Sequence, residues 1–514
     1  MDSFWKKQEE KVIIHDNKMN IIESCIDRHI EDKPDKNAFV FQDDNEKVKK
    51  YTYKELSKEV NKFSNLLVNL GVKKGDRIAL FLPKIPEMYI AFLAVIKIGA
   101  VAVPLFEAFQ EDGLKLRLDR GDITLLISDK ELSERYEEIK EKPKTIKKVL
   151  VIDSNEFKNE IKKQSDEFSC VLVDKMDTAT MIFTSSTAGT PVAGIQIPHY
   201  GLVQQHFTGE YSLGLKEDDH YWCTAHPGWV TGSIYGILSP LSIGCTIYVL
   251  DGRFEFERFV DFLKENKISV MYTAPTALRL LKQGIEKSDL KNLRNICSVG
   301  EALTKATFEF YKDLGIEIID TYWQTETGAI IISGSEESEK EPGRLGKVIP
   351  GIKAEIKDGE IVLETPWPAM MTGIYKHKKM YKSYFDGDLF LTHDLAKMDK
   401  ERYFYFEARK DDIIKTSGER ISPIEIESIL MKNKSVKETA VIGVPHETRG
   451  NILKAFVVLA KGYKESEDLK EELGQFVKEH YAGHAYPKIV EFVEDLPKTN
   501  SGKIIRMKLR ELSK

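Results

Sequence analysis

Residues 77–105 read RIALFLPKIPEMYIAFLAVIKIGAVAVPL and combine two apolar runs with a helical pattern between them. The apolar run at 77–82 predicts a buried strand, residues 86–98 resemble a helix, and residues 100–105 predict a second strand. A strand, a helix and a strand of these lengths form a right-handed βαβ unit with two parallel strands. The pattern recurs at 121–152 and 245–275. The sequence therefore predicts an α/β fold with a largely parallel sheet.

The chain is long enough for more than one domain, because single cores usually stop growing at about 250–300 residues and this sequence has 514. The pattern of predicted helices and strands changes after residue 400. There a polar link at 408–412 precedes about 100 residues of mixed helix and strand, which is a usual size for a small domain. We predict a large multi-sheet domain at 1–409 and a small α+β domain at 410–514, with the boundary at 409–412.

The composition argues against several classes of protein. The 76 Lys and Arg residues against 82 Asp and Glu residues give a net charge of −6, which does not suit a broadly cationic nucleic-acid binder. No apolar run approaches the roughly 18 residues of a membrane span, and residues 1–11 lack the apolar stretch of a signal peptide. We therefore expect a soluble, cytoplasmic protein without nucleic-acid or membrane partners, and the composition leaves a homo-oligomer open.

The five cysteines are odd in number and form no C-x-x-C spacing. A disulfide framework or a zinc site is therefore not expected, and a reducing compartment is the natural location.

Two segments place small, hydroxyl-bearing and acidic residues directly after predicted strands. Residues 183–194, FTSSTAGTPVAG, could wrap a phosphate with backbone N–H groups and hydroxyls, although an ordinary loop has the same composition. Residues 320–328, DTYWQTETG, set Glu326 beside Thr325, which could hold Mg²⁺ and a phosphate oxygen together. The alternative at this second segment is a helix N-cap, with Thr325 as the cap and Glu326 in the first turn.

Two further segments lie towards the C-terminus. Asp394, at a predicted strand end, suits a bidentate grip on ribose hydroxyls, and Arg409 supplies a fork of donors for phosphate. A solvated linker between domains is the alternative for this region. Residues 497–506, PKTNSGKIIR, taken alone indicate only a basic tail.

In this order and at these separations, the four segments resemble the core motifs of the adenylate-forming superfamily of acyl-CoA synthetases, peptide-synthetase adenylation domains and luciferases. The strongest pieces are YWQTETG at 322–328, RKDDIIKTSGERISPIEIE at 409–427 and PKTNSGKIIR at 497–506. With the 183–194 loop and Ser298-Val299-Gly300-Glu301, the resemblance covers nearly the whole chain.

The resemblance implies a large N-terminal domain, a small mobile C-terminal domain and two half-reactions. A carboxylate first attacks the α-phosphate of Mg·ATP and gives an acyl-adenylate and pyrophosphate. The small domain then rotates and a thiol, that of coenzyme A in acyl-CoA synthetases, attacks the adenylate. Adenylation supplies AMP as a good leaving group, and positioning with charge neutralisation carries the first step.

Roles carried over by position fall into catalytic and binding sets. In the first set the resemblance implies that Lys503 bridges the carboxylate and the α-phosphate, that Thr325 contacts that phosphate, that Glu326 holds Mg²⁺ and that Arg420 reaches the adenylate phosphate. It also implies that Asp411 lies at the hinge and Gly418 along the pantetheine tunnel. The remaining binding roles are phosphate contacts by Thr184, Ser185, Ser186, Thr187 and Gly189, adenine contacts by Gly300, Glu301, Ala302, Asp320 and Tyr322, and ribose contacts by Asp394 and Arg409.

The acyl pocket also follows from the resemblance. HPGWVTG at 226–232 looks like the acetyl-CoA synthetase version of this region, and Tyr322-Trp323-Gln324 like its pocket floor. Relatives that take longer chains usually have Gly at the position of Trp323. The resemblance therefore implies that Val230, Thr231, Val299 and Trp323 line a pocket for acetate or propionate, since an indole fills the volume a longer chain needs. The alternative is an ordinary buried core tryptophan.

The sequence departs from the family pattern at several glycines. Ser186 replaces a Gly of the phosphate loop, and neither Val192 nor Ala193 is the customary Lys. His393 and Arg402 also stand where Gly is common. We interpret the chain as an active but divergent member. Two alternatives stay open: an adenylating enzyme that loads a carrier protein or other thiol in trans, and a catalytically silent nucleotide-binding homologue.

Overall fold

A computed structural model of the chain describes residues 3–184, 193–301, 303–335, 338, 340–410, 412, 414–416, 419–446, 450–480, 486–498 and 504–513. For Lys415, Glu419, Arg420 and Gly450 it describes the backbone alone. The described residues fall into two compact units. The first lies within 1–186, 191–353 and 364–388, and the second within 354–363 and 389–514.

The α-helices of these residues are α1 (Ser3–Glu9), α2 (Arg28–Asp32), α3 (Tyr53–Asn69), α4 (Pro86–Lys97), α5 (Glu111–Arg120), α6 (Lys130–Glu137), α7 (Asn155–Lys162), α8 (Leu202–Tyr211), α9 (Val230–Ser233), α10 (Ser239–Ile243), α11 (Phe256–Glu265), α12 (Pro275–Leu281), α13 (Lys305–Asp313), α14 (Lys378–Ser383), α15 (Pro423–Leu430), α16 (Glu467–His480) and α17 (Arg506–Leu512). Single π-helical turns occupy Glu23–Asp27 and Ile234–Leu238, and a 3₁₀ turn occupies His199–Gly201.

The strands are β1 (Lys18–Met19), β2 (Asn37–Gln42), β3 (Val48–Thr52), β4 (Arg77–Phe81), β5 (Val101–Leu105), β6 (Leu125–Ser128), β7 (Lys148–Val151), β8 (Val173–Asp174), β9 (Thr178–Phe183), β10 (Gly194–Pro198), β11 (His220–Cys223), β12 (Thr246–Leu250), β13 (Val270–Thr273), β14 (Asn295–Ser298), β15 (Ile318–Tyr322), β16 (Ile332–Ser333), β17 (Arg344–Val348), β18 (Ala354–Lys357), β19 (Glu360–Glu364), β20 (Gly373–Ile374), β21 (Phe385–Asp386), β22 (Leu389–Met398), β23 (Phe404–Arg409), β24 (Ile414–Thr416), β25 (Glu419–Ile421), β26 (Val436–His446), β27 (Gly450–Leu459) and β28 (Ile489–Phe492).

The predicted βαβ unit is confirmed. β4 and β5 are parallel neighbours with Arg77 opposite Val101, and α4 connects them. Apolar side chains make up most of both strands and of α4, so all three are buried on every side. The second predicted unit is also present, since β6 and β7 are parallel neighbours. In the third, β12 and β13 do not pair with each other, because β11 lies between them and is parallel to both.

The first unit contains two large sheets. One is seven-stranded, in the order β20–β10–β9–β5–β4–β6–β7. The other continues within this unit as β17–β16–β15–β14–β13–β11–β12–β2–β3. In this second sheet β2, β12, β11, β13, β14 and β15 are parallel, and the antiparallel strands β3 and β16 flank them. A parallel run of this kind places the carboxyl ends of its strands at one edge.

The second unit contains shorter runs of paired strands. Its strands run in the orders β18–β19–β22–β23, β24–β25 and β26–β27–β28. Helices α15 and α16 pack with β26, β27 and β28 around an apolar core that includes Ile426, Val441 and Val457. Mixed helix and strand after residue 412 is what the sequence predicts. The position of the domain boundary at 409–412 stays a prediction.

All five cysteines are free, and four of them, Cys25, Cys223, Cys245 and Cys297, are buried. Burial raises the pKa of Cys25 and of Cys223 to about 12, so these thiols are packing groups rather than nucleophiles. None of the helices in the described part of the chain is long and apolar enough to cross a membrane.

Candidate active site

Four parallel strands end together at the edge that carries the sequence motifs. Thr273 of β13 lies opposite Ser298 of β14, and Ser298 lies opposite Asp320 of β15. The strand β11 is parallel to β13 on the other side. The segments that follow these strands are 226–232, 299–301 and 323–328, so the sheet register brings the three motifs to one edge. In open parallel sheets, ligands bind outside the carboxyl ends of the strands.

Asp320 lies within β15 rather than after it, because the strand extends to Tyr322. The hydroxyl of Ser298 and the backbone N–H of Thr321 donate to its Oδ1 at 2.7 and 3.1 Å. Both bonds favour the carboxylate, but burial outweighs them and raises the pKa of Asp320 to about 7. Asp320, one of the predicted adenine contacts, is therefore a carboxyl with a pKa close to neutral pH.

The segment after β15 is a tight turn and not a helix. Thr327 and Gly328 donate their backbone N–H groups to the carbonyl of Gln324, and the Gln324 N–H donates to Thr327 Oγ1 at 2.9 Å. Gly328 has a φ of +70°, and a Cβ there would come within 1.8 Å of the Ala369 carbonyl oxygen. The alternative interpretation of Thr325 as a helix cap is therefore wrong, because this turn leads directly towards β16.

Glu326 is oriented from a distant part of the chain. The hydroxyl of Tyr384, at the end of α14, donates to Glu326 Oε1 at 3.1 Å, and the Glu326 carbonyl accepts from the Met371 N–H. No cluster of three or more His, Cys, Asp or Glu side chains that could hold a metal occurs in the part of the chain that the structure describes. A single carboxylate suits Mg²⁺, which commonly keeps one or two protein ligands and takes the rest from phosphates and water.

The segment after β14 contains an open backbone position at Gly300, followed by Glu301, whose carboxylate is held by hydrogen bonds. Gly300 has a φ of +87°, with no atom within 4 Å of the position a Cβ would take, so the backbone leaves free space here. Glu301 accepts from Thr276 Oγ1 at 2.8 Å and pairs with Arg279 at 3.1 Å, both from α12. These contacts use the Glu301 carboxylate, and the position of a Cβ at Gly300 stays open.

The residues predicted to line the acyl pocket lie directly after β14, directly after β15 and at the start of α9. Val299 follows β14, Trp323 follows β15, and Val230 and Thr231 begin α9 after the 226–229 turn. Trp323 is 8% exposed and packs edge-to-face on Tyr235 of the π-helical turn that continues α9, with ring centroids 5.0 Å apart. Its indole N–H donates to the hydroxyl of Tyr272 at 3.1 Å. The indole is thus fixed at the strand ends and also fully packed.

A neutral histidine shapes the turn before α9. His226 donates from Nε2 to the Leu82 carbonyl at 3.0 Å, and its Nδ1 accepts from the Gly228 N–H at 2.8 Å. Burial lowers the pKa of His226 to about 3, so the imidazole stays neutral and its tautomer is set by these two bonds. Gly228 and Gly232 are required here, since a Cβ would come within 2.5 Å of the Phe106 nitrogen and 2.2 Å of the His226 oxygen respectively.

In the second unit, Asp394 and Arg409 face each other on paired strands β22 and β23, with Arg409 Nε 3.7 Å from Asp394 Oδ1. Asp394 is buried at 5% exposure, so the alternative of a solvated linker is wrong for this residue. His393 has a φ of +59°, the left-handed conformation that explains why Gly is common at this position. Buried Glu360 compensates by accepting from the His393 N–H at 2.8 Å.

Several predicted residues lie outside the described part of the chain: Ser185, Ser186, Thr187, Gly189, Ala302, Asp411, Gly418 and Lys503. Arg420 is described only by its backbone in β25, opposite Lys415. Thr184 follows β9, and its N–H donates to the Ala193 carbonyl at 3.2 Å. On either side of Lys503, Lys498 and Ile504 form an antiparallel bridge.

Sequence reasoning missed the residues that support the motifs. Tyr384 holds Glu326, Glu360 holds the His393 backbone, and Tyr272 and Tyr235 hold Trp323. None of these lies within a recognisable motif. Only Tyr272 gives a weak signal, because it directly precedes the polar end of a predicted strand.

The fold and this edge define an α/β protein with a candidate ligand site at the carboxyl ends of parallel strands. The sequence model for the AMP-binding enzyme matches residues 26–373, and that for the AMP-binding enzyme C-terminal domain matches residues 425–503. The chain belongs to the AMP-binding enzyme family.

Relatives and solved structures agree with this assignment. The acetyl-coenzyme A synthetase of Bacillus subtilis (strain 168) is 39% identical, covering 96% of this chain and 90% of the relative. That of Methanothrix thermoacetophila is 34% identical over 95% and 82%. Among solved structures, the anthranilate CoA ligase AuaEII in complex with anthranoyl-AMP has a TM-score of 0.89 at 26% identity, covering 97% of this chain and 98% of that chain.

Proposed function

We propose that the chain is an AMP-forming acid–coenzyme A ligase that acts on acetate or propionate. The carboxylate oxygen attacks the α-phosphorus of ATP and pyrophosphate leaves, which gives an acyl-adenylate. The coenzyme A thiol, after losing its proton, then attacks the acyl carbon, and AMP leaves with the electrons of the broken C–O bond. The full-length relatives named acetyl-coenzyme A synthetase support this reaction class.

The observation that carries the proposal is the convergence of three motifs at one strand edge, through the pairing of β13 with β14 and of β14 with β15. This pairing supports the assignment of Gly300, Glu301, Asp320 and Tyr322 to adenine, since the open backbone at Gly300 lies one strand away from Asp320. Polar backbone groups in an open turn suit an aromatic base that needs both stacking and hydrogen bonds.

Glu326 is the residue that we assign to Mg²⁺, with Thr325 beside it on the α-phosphate. The carboxylate is fixed by Tyr384 through one oxygen, and a Mg²⁺ ion there would neutralise charge on the phosphates. The Ser/Thr/Gly loop from Thr184 onward remains our assignment for the outer phosphates. In the second unit we assign Asp394 and Arg409 to the ribose, Arg420 to the adenylate phosphate, Gly418 to pantetheine and Lys503 to the first half-reaction.

We assign the small pocket to Val230, Thr231, Val299 and Trp323. The packed indole supports it, because each methylene beyond the length that fits must displace a ring held on two sides, at a cost of roughly 1–3 kcal/mol. A cytoplasmic location and the α+β boundary near 409–412 are further parts of the proposal.

The experiment that tests this function is ATP–pyrophosphate exchange with straight-chain acids from formate to octanoate, followed by addition of coenzyme A, for the wild type and Trp323→Gly. We expect exchange in the wild type to peak at two or three carbons, with coenzyme A then consumed. Trp323→Gly should move the peak to butyrate or longer acids.

Other outcomes are equally informative. A wild-type peak at longer acids would retain the reaction and overturn the pocket. Exchange without consumption of coenzyme A would favour transfer to a carrier protein or other thiol. ATP binding without exchange for any acid would favour the silent homologue.

A further inference from the structure

The indole of Trp323 is held by one polar contact and one ring contact, both from residues outside the motifs. The buried N–H donates to the hydroxyl of Tyr272 at 3.1 Å, and the ring packs edge-to-face on Tyr235 at an interplanar angle of 81°. A buried indole N–H without an acceptor is unfavourable, because the donor has lost its hydrogen bond to water and gained none in return. The orientation of the indole is therefore tied to the position of the Tyr272 oxygen.

The direction of each hydrogen bond around Tyr272 is fixed by counting donors. Thr321 Oγ1 has a single proton, which it donates to the Ser298 carbonyl at 2.8 Å. Thr321 Oγ1 must then accept from the Tyr272 hydroxyl, which is 2.8 Å away. Tyr272 has no second proton, so its oxygen is an acceptor for Trp323. This relay, Trp323–Tyr272–Thr321–Ser298, ends on the backbone of β14.

The same count fixes Tyr235 on the other side of the indole. Thr208 Oγ1 donates to the Gln204 carbonyl at 2.8 Å and so accepts from the Tyr235 hydroxyl at 2.7 Å. The Tyr235 oxygen accepts in turn from the Ile330 N–H at 2.8 Å. The Tyr235 ring also packs on Tyr272, with centroids 5.7 Å apart at 87°. Both aromatic neighbours of Trp323 are thus themselves anchored.

We propose that Tyr272 and Tyr235 are positioning residues that determine acyl-chain length by holding the Trp323 indole in the acyl pocket. This inference rests on the proposed function, since it concerns the selectivity of that same pocket. Tyr272 acts through the indole rather than by contact with the acid. Without the tyrosine hydroxyl the indole N–H loses its acceptor. The ring is then free to rotate out of the part of the acyl pocket that the longer chain of butyrate needs.

The test compares Tyr272→Phe with Tyr311→Phe in the full-length protein. Tyr311 is a matched control, because it is also fully buried and its hydroxyl donates to the Leu278 carbonyl at 3.0 Å, within the core around α12 and α13. The measurement is kcat/KM for acetate, propionate and butyrate, together with the thermal midpoint. We expect the ratio of butyrate to acetate to rise about tenfold in Tyr272→Phe and to stay unchanged in Tyr311→Phe, with similar losses of stability.

A double variant separates positioning from general loosening. If Tyr272 acts through the indole, Tyr272→Phe should leave the chain-length ratio of Trp323→Gly unchanged, since the ring it positions is absent. An unchanged ratio in Tyr272→Phe, or an equal further shift in the double variant, would overturn the inference while leaving the proposed function intact. Absence of exchange with every acid in the wild type would instead overturn the proposed function and this inference with it.

Discussion

Asp320 shows how a single residue can have a property that its sequence context does not reveal. A carboxyl at a strand end is ordinarily ionised at neutral pH, yet burial raises the pKa of Asp320 to about 7. The unfolded chain releases this proton near pH 4, whereas the folded chain retains it to about pH 7. The contribution of the neutral carboxyl to stability is therefore fully present below pH 4 and is lost progressively as pH rises to 7.

We expect Asp320→Asn to remove this pH dependence. Measured by chemical denaturation, the stability of the wild type relative to the variant should fall between pH 4 and pH 7 by up to about 1.4 kcal/mol per pH unit. The amide can still accept from the Thr321 N–H, so the turn itself should survive. If the stability of the two proteins depended on pH in the same way, the prediction would be wrong, because Asp320 would then be ionised in the folded chain as it is in the unfolded chain.

Among the individual elements, the hairpin of β22 and β23 shows the energetic cost of a departure from the family pattern. Asp399 organises its turn by accepting from the N–H groups of Glu401 and Tyr403, each at 2.9 Å. Arg402, which stands where Gly is frequent, has a φ of +67°. Left-handed backbone costs a residue with a Cβ roughly 1–2 kcal/mol, so this turn is strained by its sequence.

Replacing Arg402 with Gly should therefore stabilise the protein, and replacing it with Ala should not. Both variants remove the long contact from Arg402 Nη2 to the Ala354 carbonyl, so the difference between them reports the backbone alone. We expect the free energy of unfolding of the Arg402→Gly variant to be about 1 kcal/mol higher than that of the Arg402→Ala variant. The greater conformational entropy of Gly in the unfolded chain reduces this difference slightly. Equal stability of Gly and Ala at this position would contradict a strained turn.

At the scale of the whole molecule, the proposal requires two half-reactions served by different residues. Lys503 lies outside the described part of the chain, and described residues on either side of it are held by hydrogen bonds. The Ile505 N–H donates to the Pro497 carbonyl at 2.8 Å, and Arg506 holds both oxygens of Glu427 at 2.7 and 2.8 Å. Because burial and charge pairing fix Arg506, a substitution at Lys503 should act on chemistry rather than on the fold of the second unit.

We expect Lys503→Ala to abolish formation of the acyl-adenylate while largely sparing thioester formation from supplied acyl-adenylate. Pyrophosphate exchange measures the first step, and consumption of coenzyme A with synthetic adenylate measures the second. Lys498→Ala is the matched control, since the Lys498 ammonium is paired with Glu438 at 2.7 Å and Asp495 at 2.9 Å. Equal loss of both half-reactions in Lys503→Ala would contradict its assignment to the first step alone.

Much of the fold could be predicted because the signals are local. The strands and helix of 77–105 are apolar runs of characteristic length, and the four motifs occur in contiguous stretches of sequence, two of which, 183–194 and 320–328, overlap or follow predicted strands. Boundaries were displaced where pairing extended a strand, as at Asp320–Tyr322. Asp320 pairs with Ser298 of β14, and Thr321 and Tyr322 pair with Ser333 and Ile332 of β16. The interpretation of Thr325 as a helix cap failed because a local pattern does not distinguish a cap from a closed turn.

Local stretches of sequence were enough to predict the family, the order of the elements, and the residues to which we assign the chemistry. The side chains that hold those residues became known only from the folded chain. Trp323 and Tyr272 are 51 positions apart, Glu326 and Tyr384 are 58 apart, and His393 and Glu360 are 33 apart. Sheet register and helix packing bring such pairs together, and burial then fixes the pKa of groups such as Asp320, so neither property is written in a local stretch of residues.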